Sequence, residues 1–391
     1  MARRALVGFE IGNLSELWDV GSAVIDSTVF NTGSAYSAKV ATAASVSAVW
    51  AVSELNMSGP VYAKIYFRTD SVSNPSAVLG YQAFMFTDSA FSIQCQIYIQ
   101  QNMDGTWTLN VRDSADTGAG SFPSITIAAN TWYRFEAVFQ KGAGTGSLSI
   151  YKDGSLVESM SSKQFGANNT ENVYFGGSYG GAQSRSGFYD DLEVDDAALC
   201  GESYVLARQF KSATPTHNGW TKSTGSTIDT VWNDTPFNAA TSANSGSVTA
   251  AIAQTAKLAD LDAVQTGHGT GVVRPWDTIH AWKIGAVAKT SATSNGGSSG
   301  NIRRIVDGVT TDVAQTLTTS DVYYESPTLA SLSYASLAAA EVGWNKATST
   351  SARTQTVEDM WAIFAYTPGT EPARKRPPVN RSHAVARAAN Y

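Results

Sequence analysis

The sequence has little charge and little cysteine. Charged residues make up 15% of its 391 residues, and there are two cysteines. Cys95 and Cys200 are far apart in the chain and do not make the disulfide framework of a small stapled protein. We expect both to be free thiols, with Cys95 a small core residue on the apolar side of a strand.

Long apolar runs and histidine clusters are also missing. No stretch approaches the roughly 20 apolar residues of a membrane-spanning helix, so we expect no membrane span. The histidines have no zinc-like spacing and no neighbouring cysteine, and we expect them to be loop or tail residues. They are His217, His268, His280 and His383.

The net charge of −6 is unevenly distributed. Residues 371–391 contain five lysines and arginines against the single carboxylate of Glu371. The remaining chain is therefore acidic, which argues against a nucleic-acid partner, because binding a duplex requires neutralising its phosphates. The basic tail has little apolar content and two adjacent prolines. We expect it to be disordered in the free protein and to order against a neighbouring subunit.

The first 200 residues do contain clear period-two alternation, the pattern of half-buried antiparallel strands. In 91–101, Phe91 and the alternate residues after it point one way, with glutamines and Tyr98 opposite. Asp153-Gly154 separates two strand-like runs, which predicts a hairpin. The alternating stretches are VYAKIYFR (61–68), FSIQCQIYIQQ (91–101) and TWYRFEAVFQ (131–140).

The second half is richer in turn signals and small polar residues. Short apolar runs such as 280–290 and 359–368 predict further strands, and Asp307-Gly308 predicts another hairpin turn. The stretch 333–344 predicts a short helix before a strand.

These patterns predict an all-β chain of two antiparallel β-sandwich (jelly-roll) domains in tandem. We place the domains at residues 1–200 and 201–370, followed by a disordered or extended basic tail at 371–391.

Five stretches of the first half resemble, in order, concanavalin A-like (laminin G-like) jelly rolls. They are GFEIGNLSELWD (8–19), NTWYRFEAVF (130–139), GSLSIYKDGSLVE (146–158), VYFGGS (173–178) and GFYDDLEVDD (187–196). The resemblance implies that the opening and closing strands are neighbours and that the domain is of the lectin or glucanase type. Glycan binding is the function that this implies.

The acidic stretch at 187–196 has two interpretations. As a strand it projects Asp191, Glu193 and Asp195 from one face, and carboxyls two residues apart are close enough for glycoside hydrolysis. The stretch leads directly to the domain exit, however, where the family's closing strand ends. We therefore predict a closing strand without catalysis, and keep glycan hydrolysis as the less favoured alternative.

Asp190 shares its parity with Leu192 and Val194, so we expect its carboxylate to face the core. A buried carboxylate must be paired or hydrogen-bonded. A structural role between the first and last strands is one explanation, and a structural Ca²⁺ shared with Glu10 and Asp191 is the other. We predict no other cofactor.

Two glycine-rich motifs and several aromatic residues were also considered. Gly176–Gly180 fits G-x-S-x-G, but a nucleophile elbow needs a following helix, so we predict a turn. Gly142–Gly146 lacks the ending of a phosphate loop, so we predict a hairpin loop. Aromatic faces stack on sugars, and the candidates for this role are Trp50, Tyr98, Trp107 and Tyr179.

The second half resembles the second domain of tailed-phage virion proteins. The resemblance rests on residues 218–236, 261–275, 317–327 and 337–347. The chain also starts without an apolar run long enough for a secretory signal. A virion protein needs no such signal, because it assembles in the host cytoplasm and leaves by lysis.

The resemblance leads to a set of functional expectations. We expect a structural component of a tailed-phage virion (tail, fibre or head decoration) located in the virion. Its partners would be other virion proteins and further copies of itself, with host-surface polysaccharide as a further ligand. A dedicated glycan-binding receptor protein is the alternative. We expect no enzyme, no catalytic residue and no cofactor-binding residue.

Overall fold

The structure is a computed structural model. It describes residues 3–8, 24–31, 34, 36–41, 50–52, 55–115, 118–179, 185–208, 210–212, 221–222, 246–248, 253–258, 272–293, 299–346 and 353–371. Within these residues the fold is almost entirely antiparallel β-structure, as predicted.

The first fifteen strands build one β-sandwich. They are β1 (Arg3–Val7), β2 (Val24–Asp26), β3 (Ser37–Ala41), β4 (Trp50–Val52), β5 (Val61–Thr69), β6 (Leu79–Thr87), β7 (Ile93–Gln101), β8 (Trp107–Asp113), β9 (Gly118–Ile125), β10 (Tyr133–Gln140), β11 (Ala143–Lys152), β12 (Ser155–Gln164), β13 (Asn172–Phe175), β14 (Ser178–Tyr179) and β15 (Ser186–Asp195).

The remaining elements build a second β-sandwich. They are β16 (Tyr204–Arg208), β17 (Phe210–Ser212), β18 (Thr221–Lys222), β19 (Gly246–Val248), β20 (Ala253–Leu258), β21 (Thr278–Thr290), β22 (Ser299–Val306), β23 (Val309–Thr316), β24 (Val322–Glu325), β25 (Leu329–Ala330), the helix α1 (Tyr334–Ala339), β26 (Glu341–Lys346) and β27 (Gln355–Thr367).

Each sandwich consists of two sheets. Sheet I has the order β12-β11-β10-β5-β15-β3-β2, with β1 also paired to β15. Sheet II has the order β4-β13-β6-β7-β8-β9, with β14 paired to β6. Sheet III is β18-β19-β27-β21-β24, extended by β16 and β25, and sheet IV is β17-β20-β26-β22-β23.

A hydrophobic core fills each sandwich. The first core contains Ile65 and Phe67 of sheet I and Phe84 and Ile97 of sheet II. Cys95 belongs to this core, as predicted, and both cysteines are buried free thiols. In the second core, tryptophans and branched side chains of β21, β22, β26 and β27 meet between sheets III and IV. The inward positions follow the predicted alternation.

Local turn chemistry also matches the sequence. Asp153-Gly154 joins β11 to β12 and Asp307-Gly308 joins β22 to β23, with positive φ at all four residues. This is the geometry of a two-residue hairpin turn. The predicted short helix is α1, which begins after the N-cap Ser333 and is followed by β26. No helix in the described ranges is long and apolar enough to cross a membrane.

Phe91 is a local exception. The alternation in 91–101 predicted that its side chain would point inward with Ile93. Strand β7 begins only at Ile93, and Phe91 lies in the preceding turn with 53% of its side chain exposed. That prediction is wrong because a turn residue does not follow the parity of the strand beside it.

The two sandwiches are in contact through the outer faces of sheets I and III. Leu6 of β1 packs in a third buried cluster with Val205, Ala281, Trp361 and other residues of sheet III. At the edge of this cluster Tyr66 of β5 stacks on Tyr204 of β16, with ring centroids 5.8 Å apart. The outer face of sheet I is therefore covered at β1, β15 and the adjoining part of β5, and the outer face of sheet II lies on the opposite side of the first sandwich.

Candidate functional site

The acidic stretch forms β15, and a β-bulge interrupts it. Asp190 is opposite Tyr66 and Glu193 is opposite Lys64, so β15 contains one residue more than β5 between these pairs. The extra residue is accommodated at Asp191, whose φ of 48° is in the left-handed region. Aspartate tolerates this conformation better than most residues.

The bulge changes the predicted orientation of Asp190. Tyr189, Leu192 and Val194 all point into the first core, although Tyr189 and Leu192 are three residues apart. The prediction that Asp190 faces the core is therefore wrong, because the bulge shifts the parity between these residues. The Asp190 carboxylate instead accepts a hydrogen bond from the backbone N–H of Asn31 at 2.9 Å.

Glu193 is the centre of a buried group of four residues, which we call the ionic clasp: Arg3, Lys64, Glu193 and Ser203. The side chains of Arg3 and Lys64 both pair with the Glu193 carboxylate. The Ser203 hydroxyl donates to Oε1 of Glu193 at 2.5 Å, and Nζ of Lys64 donates to the carbonyl of Ser203 at 2.5 Å. Lys64, Glu193 and Ser203 have no exposed surface.

Asp191 ties the bulge to the second sandwich. Its carboxylate accepts from the backbone N–H of Val205 at 2.7 Å and from the side-chain amide of Asn31 at 2.7 Å. Burial raises the pKa of Asp191 to about 6, and burial with the neighbouring Asp191 charge raises the pKa of Asp190 well above its usual range. Burial also lowers the pKa of Lys64 to about 8.

These contacts explain what the acidic stretch does. Asp191 and Glu193 have no exposed surface, and their carboxylates are engaged by Val205, Arg3 and Lys64 where the two sandwiches meet, so a glycan cannot reach them. Asp195 pairs with Arg3 at 3.6 Å beside them. Asp191 and Glu193 hold the first sandwich against the segment that leads into β16. This role agrees with the prediction that 187–196 is a closing strand. Glu10 lies outside the described residues, and no three acidic, histidine or cysteine residues cluster as a metal site in the part of the chain that the structure describes.

The outer face of sheet II carries a different set of side chains, at the middle of three adjacent strands. We call it the amide face, and its residues are Gln82 of β6, Gln96 and Tyr98 of β7, and Asn110 and Arg112 of β8. Their neighbours along the strands point into the core, so period-two alternation places these five on the opposite side.

Strand register aligns the amide face in two rows across the sheet. Tyr98 is opposite both Gln82 and Asn110, which forms the first row. Gln96 is opposite Arg112, which starts the second row. The guanidinium of Arg112 lies 5.6 Å from the ring centroid of Tyr98 and links the rows. Neighbouring rows are about 7 Å apart, roughly the size of one sugar ring.

The amide face is recessed. Gln82, Gln96 and Tyr98 are only 4, 8 and 9% exposed although they point away from the core. Nδ2 of Asn110 donates to Gln100 at 3.0 Å, which fixes its orientation. Nε2 of Gln82 is buried and has no acceptor among the described residues. A buried donor without an acceptor costs free energy, and an oxygen of a bound ligand would satisfy it.

The four aromatic candidates are divided by the structure. Tyr98 belongs to the amide face, whereas Trp107 points into the core and stacks on Tyr81 with centroids 6.1 Å apart. Trp107 is therefore a core residue, the role that is more common for such aromatics, and not a sugar platform, because alternation turns it inward. Trp50 lies in β4 and Tyr179 in β14, but the structure describes only the backbone at these two positions.

The remaining sequence motifs are turns and isolated side chains. The connection between β10 and β11 consists of Lys141 and Gly142, whereas 143–146 already belong to β11, so the predicted hairpin loop at Gly142–Gly146 is wrong beyond its first residue. Gly176 and Gly177 connect the strands β13 and β14, as predicted. His280 lies in β21, where its Nε2 is 2.8 Å from the Thr367 hydroxyl and burial lowers its pKa to about 4. The other three histidines lie outside the described residues.

The sequence of β7 indicates one strand of the amide face. Every outward position of β7 from Gln94 to Gln100 is glutamine or tyrosine, where a solvated strand would carry charged residues. Only the register of β6, β7 and β8 reveals that Gln82 and Asn110 complete this pattern on both sides.

Comparison with known families identifies the first sandwich. Residues 64–203 match the family model of the concanavalin A-like lectin/glucanases superfamily. These residues form a concanavalin A-like (laminin G-like) jelly-roll domain, as the sequence resemblance implied. No curated protein matches the chain.

Several solved structures are similar to the chain. The glucuronan lyase of Trichoderma reesei is 15% identical, with a TM-score of 0.36 over 46% of this chain and 89% of that one. The alginate lyase Aly36B is 16% identical, with a TM-score of 0.33 over 50% of this chain and 94% of that one. A galectin of Caenorhabditis elegans is 12% identical, with a TM-score of 0.24 over 37% and 89%.

One functional expectation is corrected by these comparisons. We expected the protein not to be an enzyme, but the similar structures include polysaccharide lyases. That expectation is wrong as drawn, because glycoside hydrolysis was the only reaction on a glycan that it took into account. The family model is that of lectins and glucanases, so glycan interaction is the function class that the fold suggests.

Proposed function

We propose that the protein binds an acidic polysaccharide along the amide face. The observation that carries the proposal is the alignment of Gln82, Tyr98 and Asn110 across three strands, with the Arg112 guanidinium beside the ring of Tyr98. Primary amides donate and accept hydrogen bonds, which suits the hydroxyls of a sugar. A phenol adds an apolar face together with a hydroxyl.

Arg112 favours an acidic ligand over a neutral one. A guanidinium binds carboxylate or sulfate groups through charge-assisted hydrogen bonds, which are about twice as strong as neutral ones. The recess strengthens such contacts, because fewer water molecules compete with the ligand. Two rows that follow each other along the strands suit a chain of several sugars that runs parallel to β7.

The test is binding of the full chain to immobilised acidic and neutral polysaccharides. Arg112→Gln should weaken binding to the acidic chain by about 10- to 100-fold, the loss of one charged hydrogen bond. The matched control is Arg303→Gln, because Arg303 is also a surface arginine but lies on sheet IV and pairs with Asp312 at 2.7 Å. Equal effects of the two changes, or stronger binding to the neutral chain, would contradict the proposal.

A second candidate function is cleavage of the bound chain by elimination, and the position of Tyr98 favours it. In this reaction a base removes the proton from the carbon beside a uronate carboxylate, the bond to the leaving sugar oxygen breaks, and a double bond forms. The Tyr98 phenolate would take this proton and, as the phenol, give it to the leaving sugar oxygen, while Arg112 with the flanking amides would stabilise the charge that develops on the carboxylate.

Tyr98→Phe separates binding from cleavage. If elimination takes place, this change should abolish the ultraviolet absorbance of the unsaturated product while binding falls by less than about tenfold, because only one neutral hydrogen bond is lost. Product formation by the Tyr98→Phe variant at the wild-type rate would exclude Tyr98 from the reaction.

The biological setting is a further part of the proposal. We propose a tailed-phage virion component that contacts host-surface polysaccharide, and its support is the ordered resemblance of motifs in the second half, such as 337–347. Immunogold labelling of intact particles with an antibody to residues 1–200 tests it. Label at the tail tip or on fibres would agree with glycan recognition, and particles without label would contradict a virion location.

A further inference from the structure

Two consecutive hairpins of sheet II have the same turn geometry but different residues at its strained position. Between β6 and β7, the N–H of Phe91 donates to the carbonyl of Asp88 at 3.0 Å. Between β7 and β8, the N–H of Gly105 donates to the carbonyl of Asn102 at 2.9 Å. The fourth turn residue has a positive φ in both, 60° at Phe91 and 85° at Gly105.

An aromatic residue is unfavourable at this position. The left-handed region suits glycine, because a Cβ atom there approaches the backbone. Phe91 gains no compensating burial in the core, since 53% of its side chain is exposed. The turn therefore carries an exposed aromatic side chain where the same turn one hairpin later has glycine. Local violations of this kind concentrate at functional sites.

The hairpin holds the Phe91 ring in a fixed place. The carboxylate of Asp88 accepts from the backbone N–H of Ala90 at 3.0 Å and of Ser92 at 2.9 Å. Its other oxygen accepts from the side-chain amide of Asn168 at 2.7 Å, and Asp88 is only 5% exposed. A ring on a braced turn loses little conformational freedom when it binds a ligand.

The hairpin is also continuous with the amide face. The carbonyl of Asn168 accepts from Nε2 of Gln94 at 2.7 Å. Gln94 is the outward residue of β7 that precedes Gln96 of the amide face. Further amides surround this end of the sandwich, where Asn169 donates to Asn56 at 2.8 Å. Gln94 itself is 2% exposed, because the segment 166–170 lies over it. A chain that lies along the amide face and continues over the exposed Asn168 would reach Phe91.

We propose that Phe91 is the stacking platform of an additional saccharide subsite beyond the amide face. The ring would cover the apolar face of a sugar, and the neighbouring asparagines would bind its hydroxyls. This inference rests on the proposed polysaccharide binding and adds to it that the bound segment extends to the β6–β7 hairpin. Longer oligosaccharides should therefore bind more tightly than those that cover the amide face alone.

The experiment titrates the full chain with a size series of oligosaccharides from an acidic polysaccharide. Phe91→Gly should weaken binding of the long members by about three- to tenfold, the contribution of one aromatic contact, and leave the shortest binding members unchanged. Phe91→Trp should retain the tight binding. The matched control is Met103→Ala, because Met103 is 58% exposed in the equivalent turn between β7 and β8.

The outcomes separate this inference from the proposed function. If Arg112→Gln weakens binding but Phe91→Gly binds every oligosaccharide like the wild type, the subsite is wrong and the polysaccharide site stands. If the wild type binds no acidic oligosaccharide, both are wrong. Binding of the wild type, but not of Phe91→Gly, to phosphatidylcholine vesicles with no effect on oligosaccharides would assign the ring to a membrane surface and overturn the subsite. A thermal midpoint of Phe91→Gly at or above that of the wild type excludes unfolding as the cause.

Discussion

Replacing Glu193 by a neutral residue should destabilise the contact between the sandwiches more than the loss of any exposed ion pair would. In Glu193→Gln, Arg3 and Lys64 lose the carboxylate that both of them contact, and Lys64 has no exposed surface from which to reach water. Removing one partner of a buried ion pair typically costs about 3 to 5 kcal/mol, because the charge that remains is desolvated and unpaired. We expect a loss in this range.

The assay is urea unfolding at neutral pH, followed by far-ultraviolet circular dichroism and tryptophan fluorescence. The control is Glu325→Gln, since Glu325 pairs with Lys283 at 2.7 Å but is 42% exposed, and such pairs contribute at most about 1 kcal/mol. A double variant with Lys64→Met and Glu193→Leu should recover part of the loss, because apolar pairs replace buried ion pairs at little cost. A loss below about 1 kcal/mol in Glu193→Gln would refute the reasoning.

Three further predictions concern pH, backbone strain and packing. The pKa of Asp191 is raised to about 6 in the folded protein, so folding binds a proton between about pH 4 and 6 and stability falls as the pH rises through this range; urea midpoints of Asp191→Asn should show a smaller decline, the remainder coming from Asp190, whose pKa is also raised. Phe91→Gly removes a strained φ and should raise the unfolding free energy by about 1 kcal/mol, and an unchanged or lower value in the same assay would contradict the strain. In Gly187→Ala the new Cβ would lie 2.7 Å from the Tyr81 ring, and this overpacking should lower the unfolding free energy by about 1 to 3 kcal/mol, measured by thermal unfolding. The control Gly59→Ala, whose Cβ meets nothing within 4 Å, should lower it by less than half as much.

The sequence predicts features that depend on neighbours in the chain. Asp153-Gly154 and Asp307-Gly308 form the predicted turns because the residues themselves favour positive φ. Alternation in 61–68 correctly places Ile65 and Phe67 in the core. The same alternation describes Lys64 only as outward, and nothing nearby in the sequence indicates that a second sandwich covers it.

Features that depend on distant pairing could not be predicted. The bulge at Asp191 reverses the parity of Asp190, and alternation has no means of counting an extra residue. The amide face likewise needs the register of three strands, because Gln82 and Asn110 become neighbours of Tyr98 only through pairing. Sequence patterns alone therefore do not reveal this candidate site.

The position of β1 has a consequence for synthesis on the ribosome. Arg3 pairs in register with Asp195, and Leu6 lies in one cluster with Trp361, so β1 gains its strand partner only after residue 195 and its cluster partners only after residue 361 have emerged. Contacts so distant in sequence form slowly. Until then the nascent chain carries an unpaired strand edge on β1 and an uncovered Leu6, the kind of surface that chaperones bind. Closure of β1 over β15 should accordingly be a late event in folding, and residues 3–7 should be the first to exchange their amide protons when the native protein opens.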